Sequence, residues 1–401
     1  MVTPDLRRAV AGLNAPFGVI DRDAFDANAA AMTERAAGLP IRVASKSLRT
    51  PAAIERALEL PGFAGVLAFS LPEALVLHAR GIRDIVVAYP SVDRAALAAL
   101  TADPAAAAHI TLMVDHPAQL DLIETAAAPE AAVRVCIDID GSLRVAGLHI
   151  GARRSPLHEV REVLALVGDI AARHRLRLVG LMCYESQIAG VPNAGANPRQ
   201  AILRRLQARS IRELAERRTA IVTAVRGEAE LEFVNGGGTG SLETSAAEGS
   251  LTEVAAGSGL FAPASFDRFA HFRHTPAAYF TAPVVRTPAP DWVTVAGGGW
   301  IASGAAGIDR LPAVAWPTGL AISATEGMGE VQTPLTGRGT RQLRIGDHVF
   351  FRHAKAGELA EHLDFFHIVA DGQLIETWET YRGLGWNFET GMSHPQHTPS
   401  R

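Results

Sequence analysis

Lys46 stands between two serines in the stretch IRVASKSLRT, residues 41–50, directly after a short apolar run and three residues before Arg49. At the end of a buried strand, a lysine desolvated by its surroundings is a nucleophile for Schiff-base chemistry. On a solvated loop the same residue is an ordinary surface cation. Two glycine-rich stretches add a second capability. VNGGGTGS (234–241) and AAGSGLFAP (255–263) let backbone N–H groups approach a phosphate closely; without a ligand they are flexible turns. A Schiff-base lysine together with a phosphate cradle suggests one cofactor, pyridoxal 5′-phosphate, its aldehyde on Lys46 and its phosphate on the glycine loops. Other polar residues follow apolar runs: Asp138, Asp140 and Arg144 in DIDGSLRVAG, and Tyr184, Glu185 and Gln187 in CYESQIAG. Arg144 either holds the phenolate oxygen of the cofactor or pairs internally with Asp138 or Asp140. Tyr184 is a candidate to pack at the pyridine ring.

These residues need elements to position them. Eight short apolar runs recur with helical stretches between them: FGVI (17–20), IRVA (41–44), GVLAF (65–69), DIVVAY (84–89), ITLMV (110–114), VRVCIDI (133–139), LVGLMCY (178–184) and EFVNGGG (232–238). They are continuous, rich in β-branched residues and free of polar alternation, which is the pattern of buried parallel strands. Between them, TPAAIERAL offers Thr50 as N-cap and Pro51 at the first helical position. SLPEALVLHARG offers Ser70 and Glu73 as a capping box with Gly81 as the stop. SPLHEVREVLALVGDI starts with Ser155 and Pro156 and carries its apolar residues on one face. Eight strand–helix units in about 260 residues predict a (β/α)8 barrel, with a doubly wound sheet as the alternative. After about residue 275 the rhythm becomes strands and turns. The expected organisation is an α/β TIM barrel over 1–273, followed by a C-terminal β-rich domain over 274–401. The tail TGMSHPQHTPSR is expected to fray.

Bulk properties narrow the function classes. The 401 residues are 48% hydrophobic and 20% charged, with a net charge of −4, which gives no reason to expect a nucleic-acid or membrane-surface partner. Cys136 and Cys183 both lie in apolar runs and read as inert core thiols. The N-terminal stretch lacks a signal-type apolar core, and no apolar run approaches the ~20 residues that span a bilayer. The expectation is a soluble protein of a reducing cytoplasm.

The chain resembles the fold-type III pyridoxal phosphate enzymes of the D-threonine aldolase and D-serine dehydratase branch, and more closely the bacterial amino acid deaminase/aldolase group with an alanine racemase-like barrel. The resemblance runs in order through VASKSLRT, AYPSVD, MVDHPAQ, DIDGSLRVAG, CYESQIAG, NGGGTGS and AAGSGLF. It continues into GGGWIASG, EGMGEVQTP, GDHVFFRHAKAGEL and TYRGLGW. It implies that Lys46 binds the cofactor covalently and that Gly237, Gly238, Thr239, Gly240, Gly257, Ser258 and Gly259 contact its phosphate. Arg144 matches the family's barrel arginine near the ring, and Tyr184 its strand-end tyrosine. It further implies a homodimer, with the active site between barrel and β-domain.

One departure concerns a metal. The family usually binds a divalent ion through His-x-Cys or His-x-Asp in the C-terminal domain. Here His353 matches the histidine, but Lys355 stands two residues on, and an ammonium is no ligand. Glu358, Glu361 or His362 could supply a second ligand at a different spacing; alternatively the Lys355 ammonium replaces the metal beside the substrate's β-oxygen. EGMGE also lacks the histidine expected after its glutamate. The expected function is an aldolase that cleaves D-β-hydroxy-α-amino acids to glycine and an aldehyde. The alternatives are a D-serine-type dehydratase, an amino acid racemase, a non-catalytic cofactor carrier, and a sugar-phosphate aldolase on a plain barrel. Lys46 is the candidate α-carbon base. His353 is the candidate base for the β-hydroxyl, or a metal ligand.

Overall fold

The first apolar run does not enter the barrel. In the computed structural model, which describes residues 2–126, 132–145, 147–305, 307–355 and 357–388, β1 (Phe17–Asp21) pairs instead with two C-terminal strands. The barrel closes from eight other parallel strands. These are β2 (Ile41–Ala44), β3 (Phe63–Ala68), β4 (Ile85–Val87), β5 (Ile110–Val114) and β6 (Val133–Asp138), then, past a small hairpin of β7 (Leu143–Val145) and β8 (Leu148–Ile150), β9 (Leu176–Cys183), β10 (Phe233–Gly236) and β11 (Glu253–Ala256). The (β/α)8 barrel expected from the sequence is therefore present, with one member exchanged: FGVI is out and EVAA is in. A buried run in a mixed sheet and one in a parallel barrel both cover two faces, so hydrophobicity cannot tell them apart. EVAA escapes notice because it is four residues long with one β-branched side chain.

Two compact units divide the chain. The barrel unit holds Met32–Ser45 and Pro61–Ala256, with Asn387 and Phe388; the sheet unit holds the residues up to Ala31, Lys46–Leu60 and Gly257–Trp386. Inside the barrel, Val86, Met113, Cys136, Val179, Met182 and Phe233 form one buried cluster. The short β11 is stapled to β2 by charge. Arg42 forks onto both carboxylate oxygens of Glu253 at 2.7 Å and 2.7 Å, and Asn235 of β10 donates to the same carboxylate at 2.7 Å. Such bidentate pairs add geometric specificity, which suits a seam with few apolar residues. Both cysteines are buried free thiols, Cys183 pushed up to about 11 by burial.

Local signals worked unevenly. Ser70 accepts from Glu73 N–H at 3.3 Å, while the Glu73 carboxylate reaches back to Phe69 N–H at 2.6 Å, one residue before the expected box. Thr50 precedes its helix but does not cap it: its hydroxyl donates to Leu48 O at 3.0 Å. The helix expected from Ser155 begins at Val160, capped through Glu162, which accepts from Glu159 N–H at 2.9 Å. Ser155 is used elsewhere, donating to Asp138 O at 2.7 Å.

In the sheet unit, the strands after residue 275 are β12 (Ala278–Ala289), β13 (Trp292–Ala296), β14 (Ala313–Trp316), β15 (Ala321–Ile322), β16 (Gln332–Thr336), β17 (His348–Arg352), β18 (Phe365–Ala370) and β19 (Gln373–Glu379). Their order is β15-β16-β13-β12-β1-β18-β19, with β17 pairing both β12 and β14. This is the β-rich C-terminal region expected; the helical segments there, among the described residues, are single 3₁₀ turns from Ile308 on. β1 sits in mid-sheet. Gly18 is required there, because a Cβ would run into Leu363 and meet the Phe366 ring at 2.7 Å. The N-terminal helix Pro4–Ala9 buries Leu6 in a cluster with Phe17, Val19, Tyr279 and Phe350. The tail TGMSHPQHTPSR lies outside the described residues.

Candidate functional site

Within the sheet unit the site is built around Lys46. It lies in the 3₁₀ turn Ser45–Ser47 that directly follows β2, and it is exposed. The chain after it is pinned at two points. Arg49, with φ +48°, pairs with Glu361 at 2.5 Å, and its carbonyl accepts from Tyr381 N–H at 2.9 Å. Gly357 closes the arrangement. Its φ of +97° favours glycine, and a Cβ there would run into the Lys46 carbonyl oxygen. The segment carrying His353 and Lys355 thus packs against the turn that carries Lys46.

His353 is 5% exposed, and neither ring nitrogen has a hydrogen-bond partner. Burial first, then the neighbouring Arg352, lower its pKa to about 3, so the ring is neutral. Its main chain is fixed: His353 O accepts from Ala264 N–H at 3.0 Å, and Ala354 O from Ser265 N–H at 3.1 Å. Those donors follow the glycine stretch 257–259, in which Gly257 is the N-cap of the short helix Ser258–Phe261. The helix is tied to the N-terminal region by Asn28, which donates to Leu260 O at 3.0 Å, and the Phe261 ring meets His353 edge-on at 6.3 Å. Lys355 is half-buried, and burial first, with Arg310 next, lowers its pKa.

The residues here do not fit a divalent metal. Glu358, a candidate second ligand, accepts Ser303 N–H on both oxygens at 2.9 Å and 2.9 Å. Glu361 is paired with Arg49. His362 ends a ring stack, 4.7 Å from Trp300 and 5° from parallel, which continues through Phe280 to Phe351. Among the described residues, no group of three or more His, Cys, Asp or Glu could hold an ion.

In the barrel unit a buried carboxylate organises the first glycine loop. Glu185, just past β9, pairs with Arg218 at 2.9 Å and accepts from Gly237 N–H at 3.2 Å, Ser241 Oγ at 2.8 Å and Ser245 Oγ at 2.5 Å. Burial pushes its pKa up, but Arg218 and these donors outweigh it and hold the carboxyl below its usual range. Gly238 N–H goes to Ser241 Oγ at 3.1 Å. The amides of Gly237 and Gly238 are therefore spent inside the loop. Gly238 gives shape instead: a Cβ would meet Ala189 Cβ at 2.8 Å and Tyr184 Cε2 at 3.2 Å. Thr239 O accepts from Arg35 at 2.6 Å.

Tyr184 and Tyr89, which follow β9 and β4, both face the guanidinium of Arg154, at 5.1 Å and 5.3 Å from their ring centres, a cation–π arrangement. Burial pushes Tyr184 up to about 12, so it is a neutral phenol. Asp138, at the end of β6, is raised to about 7 by burial, then by Asp115, against the opposing pull of Arg154. Arg144, on β7, makes the internal pair: it binds Asp140 at 2.7 Å while its side chain stays 44% exposed. With Arg153, Arg154 and His149 it lines a cleft of about 660 Å³.

Sequence reasoning missed Arg218, Arg154 and Asn28. Arg218 lies in the middle of the polar helix Pro198–Arg226, where one arginine among many carries no mark. Tyr89 and Asp115 each follow an apolar run, and that signal could have found them. For pyridoxal phosphate the sheet unit offers a fitting residue, a lysine exposed on a pinned turn and able to bind an aldehyde.

Known proteins bear on this arrangement. The chain is a homologue of D-threonine aldolase from Arthrobacter sp., with 28% identity over 299 residues covering 72% of this chain and 73% of that protein. Among solved structures, D-threonine aldolase from Filomicrobium marinum superimposes with a TM-score of 0.79 at 22% identity, over 93% of this chain and 96% of that one. D-threo-3-hydroxyaspartate dehydratase from Delftia sp. HT23 gives a TM-score of 0.66 at 22% identity, over 93% and 98%. These likenesses show a shared fold, and the relatives are lyases. The alanine racemase N-terminal domain matches residues 20–263, more than half of the sequence, and the chain belongs to that family of fold-type III pyridoxal phosphate barrels.

Proposed function

We propose that the chain is a pyridoxal-phosphate-dependent aldehyde-lyase that cleaves D-β-hydroxy-α-amino acids of the D-threonine type to glycine and an aldehyde. The observation that carries this reading is the packing of Gly357 on the Lys46 turn, which ties that turn to the segment bearing the buried, acceptor-capable His353 imidazole four residues earlier. The homologous D-threonine aldolase supports the substrate class.

Bound pyridoxal phosphate supplies an electron sink for the carbanion left at the α-carbon. Lys46 would hold the cofactor at its aldehyde and, when its amine is free, would move a proton at the α-carbon. The neutral His353 ring accepts the hydrogen of the β-hydroxyl. Gly257, Ser258 and Gly259 follow the family pattern for phosphate contacts, and the resemblance gives the same role to Thr239 and Gly240, with Arg144 and Tyr184 at the ring; Gly237 and Gly238, which the resemblance also includes, have their amides bound to Glu185 and Ser241. We further propose a homodimer, which the family pattern and the exposed Ile301, Ile308 and Val331 support. A cytoplasmic setting is supported by the two unpaired buried thiols; no described helix is long and apolar enough to cross a membrane.

The test is product analysis with D-threonine and added cofactor. Glycine plus acetaldehyde is the expected result. Ammonia plus 2-oxobutanoate would replace the aldolase reading with a dehydratase, which the similarity to the hydroxyaspartate dehydratase favours as second choice. L-threonine or L-allothreonine as the product would mean a racemase or epimerase. Lys46→Ala is expected to abolish turnover and the visible absorption of bound cofactor.

A further inference from the structure

An imidazole buried with both nitrogens unpartnered costs free energy, because each buried polar atom has given up water and gained nothing. His353 is in that state. Two residues on, Lys355 is half-buried and makes no hydrogen bond or ion pair among the described residues. The carboxylates near it are committed elsewhere: Glu358 to the Ser303 amide on both oxygens, and Asp309 to Arg310 at 2.5 Å. An unpartnered base and an unpartnered cation thus share one short segment, and that segment packs on the Lys46 turn through Gly357. A buried polar group without a partner needs an account, and at His353 a ligand's hydroxyl supplies one.

The chemistry of the donors selects the ligand. A divalent cation needs several anionic or neutral lone-pair donors, and among the described residues no three His, Cys, Asp or Glu are grouped to supply them; Glu358 and Glu361 are held by Ser303 and Arg49. An ammonium at the neighbouring position also repels a cation. What suits a neutral imidazole and an ammonium carried two residues apart on one segment is a hydroxyl, donating its hydrogen to the ring and its lone pair to the cation. We infer that this chain works without a divalent metal, and that Lys355 is a further catalytic residue whose ammonium binds the substrate's β-oxygen while His353 takes its proton. The role of Lys355 rests on the β-hydroxy amino acid reading above. In the cleavage the O–H bond gives its proton to His353 and the Cα–Cβ bond breaks. Its electron pair stays with the amino-acid half, and the β-carbon leaves as an aldehyde; no oxidant or reductant is consumed.

The experiment uses the purified holoenzyme. Titration calorimetry with Mn²⁺ is expected to show no saturable binding, and activity on D-threonine is expected to change less than twofold in EDTA. Lys355→Met is expected to lower kcat about 100-fold, the usual loss when one donor to a developing oxyanion is removed, with cofactor absorption and melting temperature unchanged. Lys355→Arg, which keeps the charge, should recover part of that loss. Lys355→Asp creates a His-x-Asp pair and should gain saturable Mn²⁺ binding together with manganese-dependent turnover. Saturable Mn²⁺ binding by the unmodified enzyme, or loss of activity in EDTA restored by Mn²⁺, would overturn the metal-free site. Full activity in both Lys355→Met and Lys355→Asp would overturn the role of Lys355. Absence of turnover with every β-hydroxy amino acid would remove the aldolase reading and the Lys355 role with it, while the Mn²⁺ titration would still decide the metal question.

Discussion

A carboxylate buried at the end of a barrel strand persists only if its charge is met, and at Glu185 four donors meet it. Asp138, two strands away round the barrel from β10, has the opposite environment. Burial and Asp115 outweigh Arg154, and its pKa rises to about 7 from an ordinary 3.8. The sign of the consequence follows from proton counts. Between about pH 4 and 7 the folded chain keeps this proton and the unfolded chain has lost it, so stability falls as pH rises through that window. Replacing Asp138 with Asn removes the fall. The variant's stability relative to the unmodified protein is expected to improve by about 2 kcal/mol between pH 5 and pH 8, read from urea unfolding at the two pH values. A constant difference across that range would mean that Asp138 is ionised throughout.

At the scale of elements, the long helix Pro198–Arg226 earns its place through Arg218, which is fully buried and binds Glu185 at 2.9 Å and Glu248 at 2.5 Å. Arg218→Met would leave two buried carboxylates without their cation. Breaking such a pair from one side costs about 3–5 kcal/mol, so a large drop in melting temperature is expected, partly recovered by adding Glu185→Gln. The turn at Gly357 is the second such element. Gly357→Ala meets both an unfavourable φ and the Lys46 carbonyl, and is expected to weaken cofactor binding at least tenfold while lowering stability by more than the ~1 kcal/mol of the backbone conformation alone. Unchanged cofactor affinity in this variant would separate the segment from the Lys46 turn.

For the whole molecule, the N-terminus is a structural part of the C-terminal sheet. β1 pairs Gly18 with Phe280 on one side and with Phe366 on the other. Deleting residues 1–21 would leave β12 and β18 with unpaired edges and an uncovered apolar face. Such a chain is expected to be insoluble or to lose cooperative unfolding, measured by soluble yield and circular dichroism; a soluble chain with an unchanged melting temperature would show that β1 is dispensable. The proposed homodimer is tested at the same scale by light scattering, where a mass twice that of the chain is expected.

The sequence by itself determined the barrel, the β-rich C-terminal region and the family. Continuous apolar runs report burial, and the order of the motifs from VASKSLRT to TYRGLGW reports descent; neither needs coordinates. Lys46 stands out as a candidate because it directly follows such a run, and His353 because it sits in a matched motif. Only the tertiary structure decided that FGVI joins the sheet while EVAA closes the barrel, since both depend on which distant edge offers a partner and burial alone is blind to that. Only the tertiary structure, too, decided that Arg144 is paired with Asp140, that the Gly237 amide is spent on Glu185, and that Glu358 and Glu361 are already engaged. A side chain's partners are set by residues up to a hundred or more positions away. Its chemistry is written in its type, and its availability for that chemistry is settled by what has already claimed it.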